Sequence, residues 1–230
     1  MERPTTVHPH LPRLAQTVTG VLCLEALLFV DRWVVAVALA LVAVGRFAPQ
    51  WSPVHGFFRR IARPAEALEP VAPVRFSQTI AVLALGLAVI LLVAGASLVG
   101  WIVVGSVSAL ALLSAATGIC VGCEIYRLAL SRGGADGDVR RGLGLTGHGP
   151  WLVVLTAPGC ARCEPVARQL EEIAGPQPVV RVDLSRKPQA AKLPVRSVPA
   201  VIAVGDDGRV RQALAGRLDR GALEELVATV

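Results

Sequence analysis

Apolar positions run almost unbroken through the first half of the chain and then give way to short alternating segments. From Phe76 to Cys123 there are 48 consecutive residues without Asp, Glu, Lys, Arg or His. As one straight helix this run would measure about 72 Å at about 1.5 Å per residue, more than twice the roughly 30 Å hydrocarbon core of a bilayer. It must fold back, and its break is "GASLVGW", where Gly95, Ser97 and Gly100 weaken a helix and Trp101 suits an interface. Two spans are expected, near 78–95 and 100–120. Upstream, residues 14–30 and 33–44 are also apolar, split by Asp31 and Arg32. They predict a helical hairpin with arms near 14–30 and 33–48, its charges in the headgroup layer. One tilted, interrupted helix or a re-entrant pair is the alternative. Glu25 reads as a functional intramembrane acid or as a carboxylate close enough to the surface to reach water. Cys23 reads as a small packing residue or a third thiol. No small-x-small site follows the first apolar stretch, so a cleaved signal peptide is not expected.

The pattern changes after residue 130. Residues 131–149 carry seven glycines with charges and no apolar period, which predicts a flexible linker with a reach of about 25 Å. Beyond it, "WLVVLTA" (151–157), "PVVRVDL" (178–184), "AVIAV" (200–204) and "RVRQALAG" (209–216) read as strands. Residues 160–174 and the closing "DRGALEELVATV" carry apolar positions at helical spacing. The expected organisation is a helical membrane domain at 1–130, the linker, and a small α/β layer structure at 150–230.

Composition and charge sharpen this picture. Hydrophobic residues make up 53% of the chain and charged residues 17%, with a mean hydropathy of +0.58, too apolar for an ordinary soluble protein. The net charge of +6 divides evenly, with +2 each in 1–126, 127–144 and 145–230, so no nucleic-acid footprint is indicated. Arg46, Arg59, Arg60, Arg63 and Arg75 all fall between the apolar run that ends at Val44 and the third span, whereas the turns opposite hold only Arg32. By the positive-inside rule that loop is cytoplasmic, with "HGFFRRIAR" lying along the surface as an amphipathic piece. The expectation is a multi-pass protein of the cell (inner) membrane, with Cys120, Cys123 and everything after them on the cytoplasmic side.

Four of the five cysteines form two C-x-x-C pairs, Cys120/Cys123 and Cys160/Cys163, which suggests redox or metal chemistry rather than a disulfide framework. A thiolate attacks a disulfide, so a useful cysteine needs an exposed sulfur and a stabilised anion. Cys160, at the expected start of a helix with Arg162 beside it, meets both needs and is the candidate nucleophile. Cys163, one turn on, is the candidate resolving residue. Pro165 is expected to bend the helix start. The bland alternative is two buried, inert cysteines. Cys120 and Cys123, one turn apart at the lipid boundary, make a possible second redox pair. Alternatively they handle metal, or the membrane part is only an anchor. Four thiolates can hold zinc, but the 36 residues between the pairs exceed the usual ribbon spacing.

"APGCARCEPVARQL", the Ser-Val-Pro of "RSVPAVIAV", and "DDGRVRQALAGRLDRGALEELV" resemble a thioredoxin-fold domain, in order, over about 80 residues. The resemblance implies a cis Pro199 beside the active-site sulfurs. Two departures stand out: the motif is Pro-Gly-Cys-Ala-Arg-Cys, and Val154 stands where thioredoxins have a buried acid, which leaves resolution at Cys163 to water or Glu164. The stretches "RPTTVHPHLPRLAQTVTG", "PVRFSQTIAV" and "GICVGCEIYRL" resemble a bacterial membrane family, domain of unknown function 4395. Vitamin K epoxide reductase relatives, helical proteins that pass electrons from a C-x-x-C to quinone, are a further resemblance. Their thioredoxin partner works outside the cytoplasm, against the arginine distribution here. Together these imply about four membrane helices followed by a thioredoxin-like α/β domain, acting as a membrane-tethered thiol-disulfide oxidoreductase. Its partners would be protein or small-molecule disulfides. Its cofactor would be none beyond the disulfide itself, with zinc or quinone as alternatives.

Overall fold

A computed structural model describes residues 6–62, 66–134, 138–187, 193, 195, 197–216 and 218–229, with the side chains of 127 and 130–134 excepted. The chain forms two compact units. One comprises His10–Arg63 and Pro73–Tyr126; the other comprises Met1–Pro9, Pro64–Ala72 and Arg127–Val230.

The first unit is helical: α1 (His10–Phe29), α2 (Arg32–Phe47), α3 (Pro53–Ile61), α4 (Val71–Val93), α5 (Ser97–Thr117) and the start of α6 (Val121–Gly134). Three of these, α1, α4 and α5, are long and apolar enough to cross a membrane. The second expected span is a 16-residue helix, α2, about 24 Å long at about 1.5 Å per residue, and is not one of the three. The hairpin break between α1 and α2 lacks Gly and Pro. It turns instead on Val30 at φ 53°, a costly conformation for a β-branched residue, and on Asp31, whose carboxylate accepts from Trp33 N at 2.8 Å to cap α2. The α4–α5 turn uses Gly95 at φ 88°. Helix α4 starts seven residues before the expected 78, because Pro73 falls in its first turn, where a missing N–H costs nothing. "HGFFRRIAR" falls largely in α3, where Phe58 is buried and Phe57 exposed. Arg63 lies outside the described residues.

Small residues set the helix spacing. A Cβ on Gly20 would lie 2.7 Å from Leu112 Cγ, and Ser108 Oγ donates to Gly20 O at 2.9 Å, so α1 and α5 approach closely and are joined by a hydrogen bond. Cys23 is fully buried among Ala26, Val35, Ala38 and Leu85, the position of a packing residue. Glu25 is exposed, four residues before the end of α1, and so within about 6 Å of the helix end along its axis.

The second unit is built on a four-stranded sheet. A two-residue pair, β1 (Thr6–Val7) and β2 (Glu69–Pro70), precedes it. A short helix α7 (Arg140–Leu143) is followed by β3 (Trp151–Thr156), α8 (Cys163–Ala174), β4 (Val179–Asp183), β5 (Ala200–Val204), β6 (Val210–Ala215) and α9 (Arg220–Val227). The sheet order is β4-β3-β5-β6, with β3 parallel to β4 and antiparallel to β5, and β5 antiparallel to β6. Central strands β3 and β5 are buried on both faces, so both faces need cover. Helices α8 and α9 cover one through Val166, Leu170, Leu223 and Leu226, packed on Leu152, Val154, Val201 and Ala203.

The other face carries Trp151, Val153, Leu155, Ile202 and Val204. Its cover comes in part from Leu68 and from Val139, Leu143 and Leu145, which lie in the stretch expected to be linker. Over 131–149 the chain is thus helical to Gly134 and again at 140–143, with Leu143 only 1% exposed; residues 135–137 lie outside the described set. Val139 N donates to Gly208 O at 2.9 Å, and Lys187 Nζ donates to Leu143 O. The physical reason is that a doubly buried strand needs apolar cover, and residues 150–230 spend both of their helices on one face.

Candidate functional site: two cysteine pairs

In the sheet unit, Cys160 and Cys163 are joined by a disulfide with S–S 2.09 Å. Helix α8 begins at Cys163, so Cys160 lies in the turn before the helix and Arg162 occupies the N-cap position. That differs from the expected start at 160: Gly159 at φ 81° and the Cys160 N to Ala157 O bond at 3.3 Å make a turn first. Cys163 is buried at 5% exposure, whereas Cys160 is partly exposed. Pro165 is the third residue of α8 and breaks no internal bond there. Both Cys163 and Val198 belong to the apolar cluster under the disulfide, with Cys160 packed against it. Pro199 is buried just before β5, and the Val198–Pro199 peptide is cis.

Arg162 Nη1 lies 4.0 Å from Glu66 Oε2. Glu164 accepts from Arg168 Nε at 3.0 Å and from Arg181 Nη1 at 2.8 Å. The Arg168 hydrogen bond first, and then the Arg181 charge, hold its carboxyl below the usual range. An ionised carboxylate engaged by two guanidiniums is a poor proton acceptor for Cys163. Val154 is fully buried in the apolar layer beneath α8 and offers no base.

In the helical unit, α5 ends at Thr117 with Gly118 left-handed at φ 75°. Two residues later Cys120 stands just before α6. Cys123 N donates to Cys120 Sγ at 3.3 Å, so the sulfur accepts the third amide of α6 as an N-cap oxygen would. Ser77 Oγ lies 3.3 Å from the same sulfur. The Cys123 thiol first, then Ser77, the Cys123 amide and Ser114 bring the Cys120 thiol down to about 5, against partial burial that pushes it up. These sulfurs line a cavity of about 380 Å³, mostly apolar, with Gln16, Ser77, Ser114 and His55 among its polar contributors. Ser114 Oγ donates to Gln16 Oε1 at 2.8 Å. Burial first, and then Arg59, hold His55 below the usual imidazole value.

Helix-terminus activation, argued from sequence for Cys160, is thus seen geometrically at Cys120. The supporting Ser77, Ser114 and Gln16 come from other helices, and no local spacing could have flagged them. Alkylation of Cys120 should follow this electrostatic arrangement. Its rate is expected to reach a plateau above about pH 6, where an ordinary cysteine near pKa 8.5 would still be rising. Cys123→Ala should move the midpoint upward further than Ser77→Ala, because the Cys123 thiol is the larger cause. A midpoint near 8.5 in the unmodified protein would contradict the arrangement.

The family described as domain of unknown function (DUF4395) matches residues 7–131. The chain belongs to this family. The matched region begins at the second residue of β1, takes in β2, α1, α4, α5 and the Cys120/Cys123 pair, and stops before the four-stranded sheet. No curated protein matches the chain. Among the described residues, no three His, Cys, Asp or Glu side chains gather as a metal ligand set.

Proposed function

We propose that this chain is a membrane-tethered thiol-disulfide oxidoreductase. In this reading its sheet unit is a thioredoxin-like domain working at the cytoplasmic face of the cell (inner) membrane, and α2 is a fourth, short span. The observation that carries the reading is the asymmetry of the disulfide-linked Cys160–Cys163 pair, one residue partly exposed ahead of a helix and the other buried as its first residue. With the pair reduced, the Cys160 thiolate attacks one sulfur of a substrate disulfide. That S–S bond breaks, a bond to Cys160 forms, and the second substrate sulfur leaves as thiolate. Cys163, its proton passed to water, then attacks the Cys160 sulfur, closes the internal disulfide and releases the first substrate sulfur. Two electrons reach the substrate, and the reverse sequence oxidises a dithiol. Protein or small-molecule disulfides are the substrates, and Cys120/Cys123 is the second pair with which the first exchanges, tethering giving an effective concentration of around millimolar.

Cys163→Ser tests the proposal. In cells it should accumulate mixed disulfides through Cys160 that resolve on reduction. If none accumulate while Cys160 still reacts with small alkylating reagents, the oxidoreductase reading fails.

The cavity beside Cys120 favours a second reading, in which a lipophilic quinone takes two electrons and two protons from the Cys120/Cys123 dithiol. Quinone depletion should then leave that pair reduced; an unchanged redox state would exclude it.

A further inference from the structure

Residues 66–70 pair with the residue before Pro199 and share an apolar cluster with Cys163. Leu68 N donates to Val198 O at 2.9 Å, and Val198 N donates to Leu68 O at 2.8 Å. This two-way exchange is the hydrogen-bonded pair of an antiparallel ladder, and the bridge stands by itself outside the named strands. Val198 immediately precedes Pro199, and its neighbours in the apolar cluster include Cys163 and Ala157. Leu68 is 9% exposed in that same cluster. Two residues before it, Glu66 Oε2 sits 4.0 Å from Arg162 Nη1, inside the Cys-Ala-Arg-Cys motif. The next residues, Glu69 and Pro70, form β2 and pair with Val7 and Thr6.

The segment is therefore held near the motif in three ways: backbone to Val198, an apolar side chain in the cluster that includes Cys163, and a carboxylate 4.0 Å from Arg162. None of these contacts needs this particular chain. The backbone groups of Val198 accept any extended segment with a free N–H at the paired position, as exposed strand edges do. The Leu68 site takes any apolar side chain, and Arg162 any carboxylate.

We propose that residues 66–70 are a displaceable strap filling a polypeptide-binding edge beside Cys160, and that an extended polypeptide disulfide must replace the strap to react. Strap and substrate are mutually exclusive. The preferred substrate segment carries an apolar residue two positions after an acidic one, with no proline at the apolar position, because proline has no N–H to offer Val198 O. A small disulfide needs no ladder pairing and meets less obstruction. This inference rests on the oxidoreductase reading of Cys160.

The test uses the full chain in detergent, reduced and freed of reductant. Rates of Cys160 oxidation are measured with a disulfide-bearing peptide and with hydroxyethyl disulfide. Leu68→Ala and Leu68→Asp remove the apolar anchor without touching the cysteines. Each is expected to raise the peptide rate about tenfold relative to the small-disulfide rate. The free peptide Pro-Ala-Glu-Ala-Leu-Glu-Pro-Val-Ala should reverse that gain in trans, and the same peptide with N-methyl-leucine should not. If Leu68→Asp fails to fold, Leu68→Ala together with the two peptides decides. An unchanged rate ratio, or equal inhibition by the N-methylated peptide, overturns the strap. If neither disulfide oxidises Cys160 in any variant, the oxidoreductase reading itself falls, which is a different outcome.

Discussion

Cys160→Ser should abolish the proposed thiol-disulfide exchange by the sheet unit, with a loss on the order of 10³-fold or more, as deletion of a nucleophile does. A serine hydroxyl is not ionised near neutral pH and does not attack disulfide sulfur. Cys163 cannot take over, because it is buried at 5% exposure within the apolar cluster. Cys163→Ser should behave differently, keeping the first attack and losing release. The check is single-turnover reduction of a peptide disulfide, with the thermal midpoint of each variant measured under reducing conditions. Equal loss in both variants with no trapped adduct would mean that the two sulfurs do not have separate roles.

Leu143→Ala should destabilise the sheet unit by roughly 3 kcal/mol, the middle of the range for truncating a buried leucine. Leu143 is 1% exposed in the cluster that holds Trp151, Val153 and Ile202. For a unit of about 120 residues this corresponds to a fall of roughly 10 °C in melting temperature. Leu128→Ala, at 62% exposure on α6, should change stability by less than about 0.5 kcal/mol. Hydrogen exchange of the β3 amides reads both directly. If Leu143→Ala were as mild as Leu128→Ala, the glycine-rich stretch would be a loose tether after all.

Strands β3 to β6 and helices α8 and α9 were legible because each carries its own period: a doubly buried run such as "WLVVLT", or apolar residues at helical spacing such as Val166 and Leu170. The hairpin turn at Gly95 was legible because so long an uncharged run has to reverse. The length of α2 was less so, since Val30 and Asp31 end one helix and cap the next without the usual breakers. Leu143 and Leu145 were hidden by composition, because seven neighbouring glycines mask two residues whose partners lie on a distant strand face.

The order of apolar and charged residues by itself determined that a helical, membrane-length region precedes an alternating α/β region, and that two Cys-x-x-Cys pairs stand one in each. Those properties depend on neighbours within a few positions, so they survive in the unfolded chain. Only the tertiary structure decided that Cys120 accepts an α6 amide beside Ser77, that Glu164 is engaged by Arg168 and Arg181, and that Leu68 pairs with Val198 across 130 residues of chain. Such contacts arise when burial brings remote segments together, and a backbone hydrogen bond leaves no mark on the side chains that sequence records.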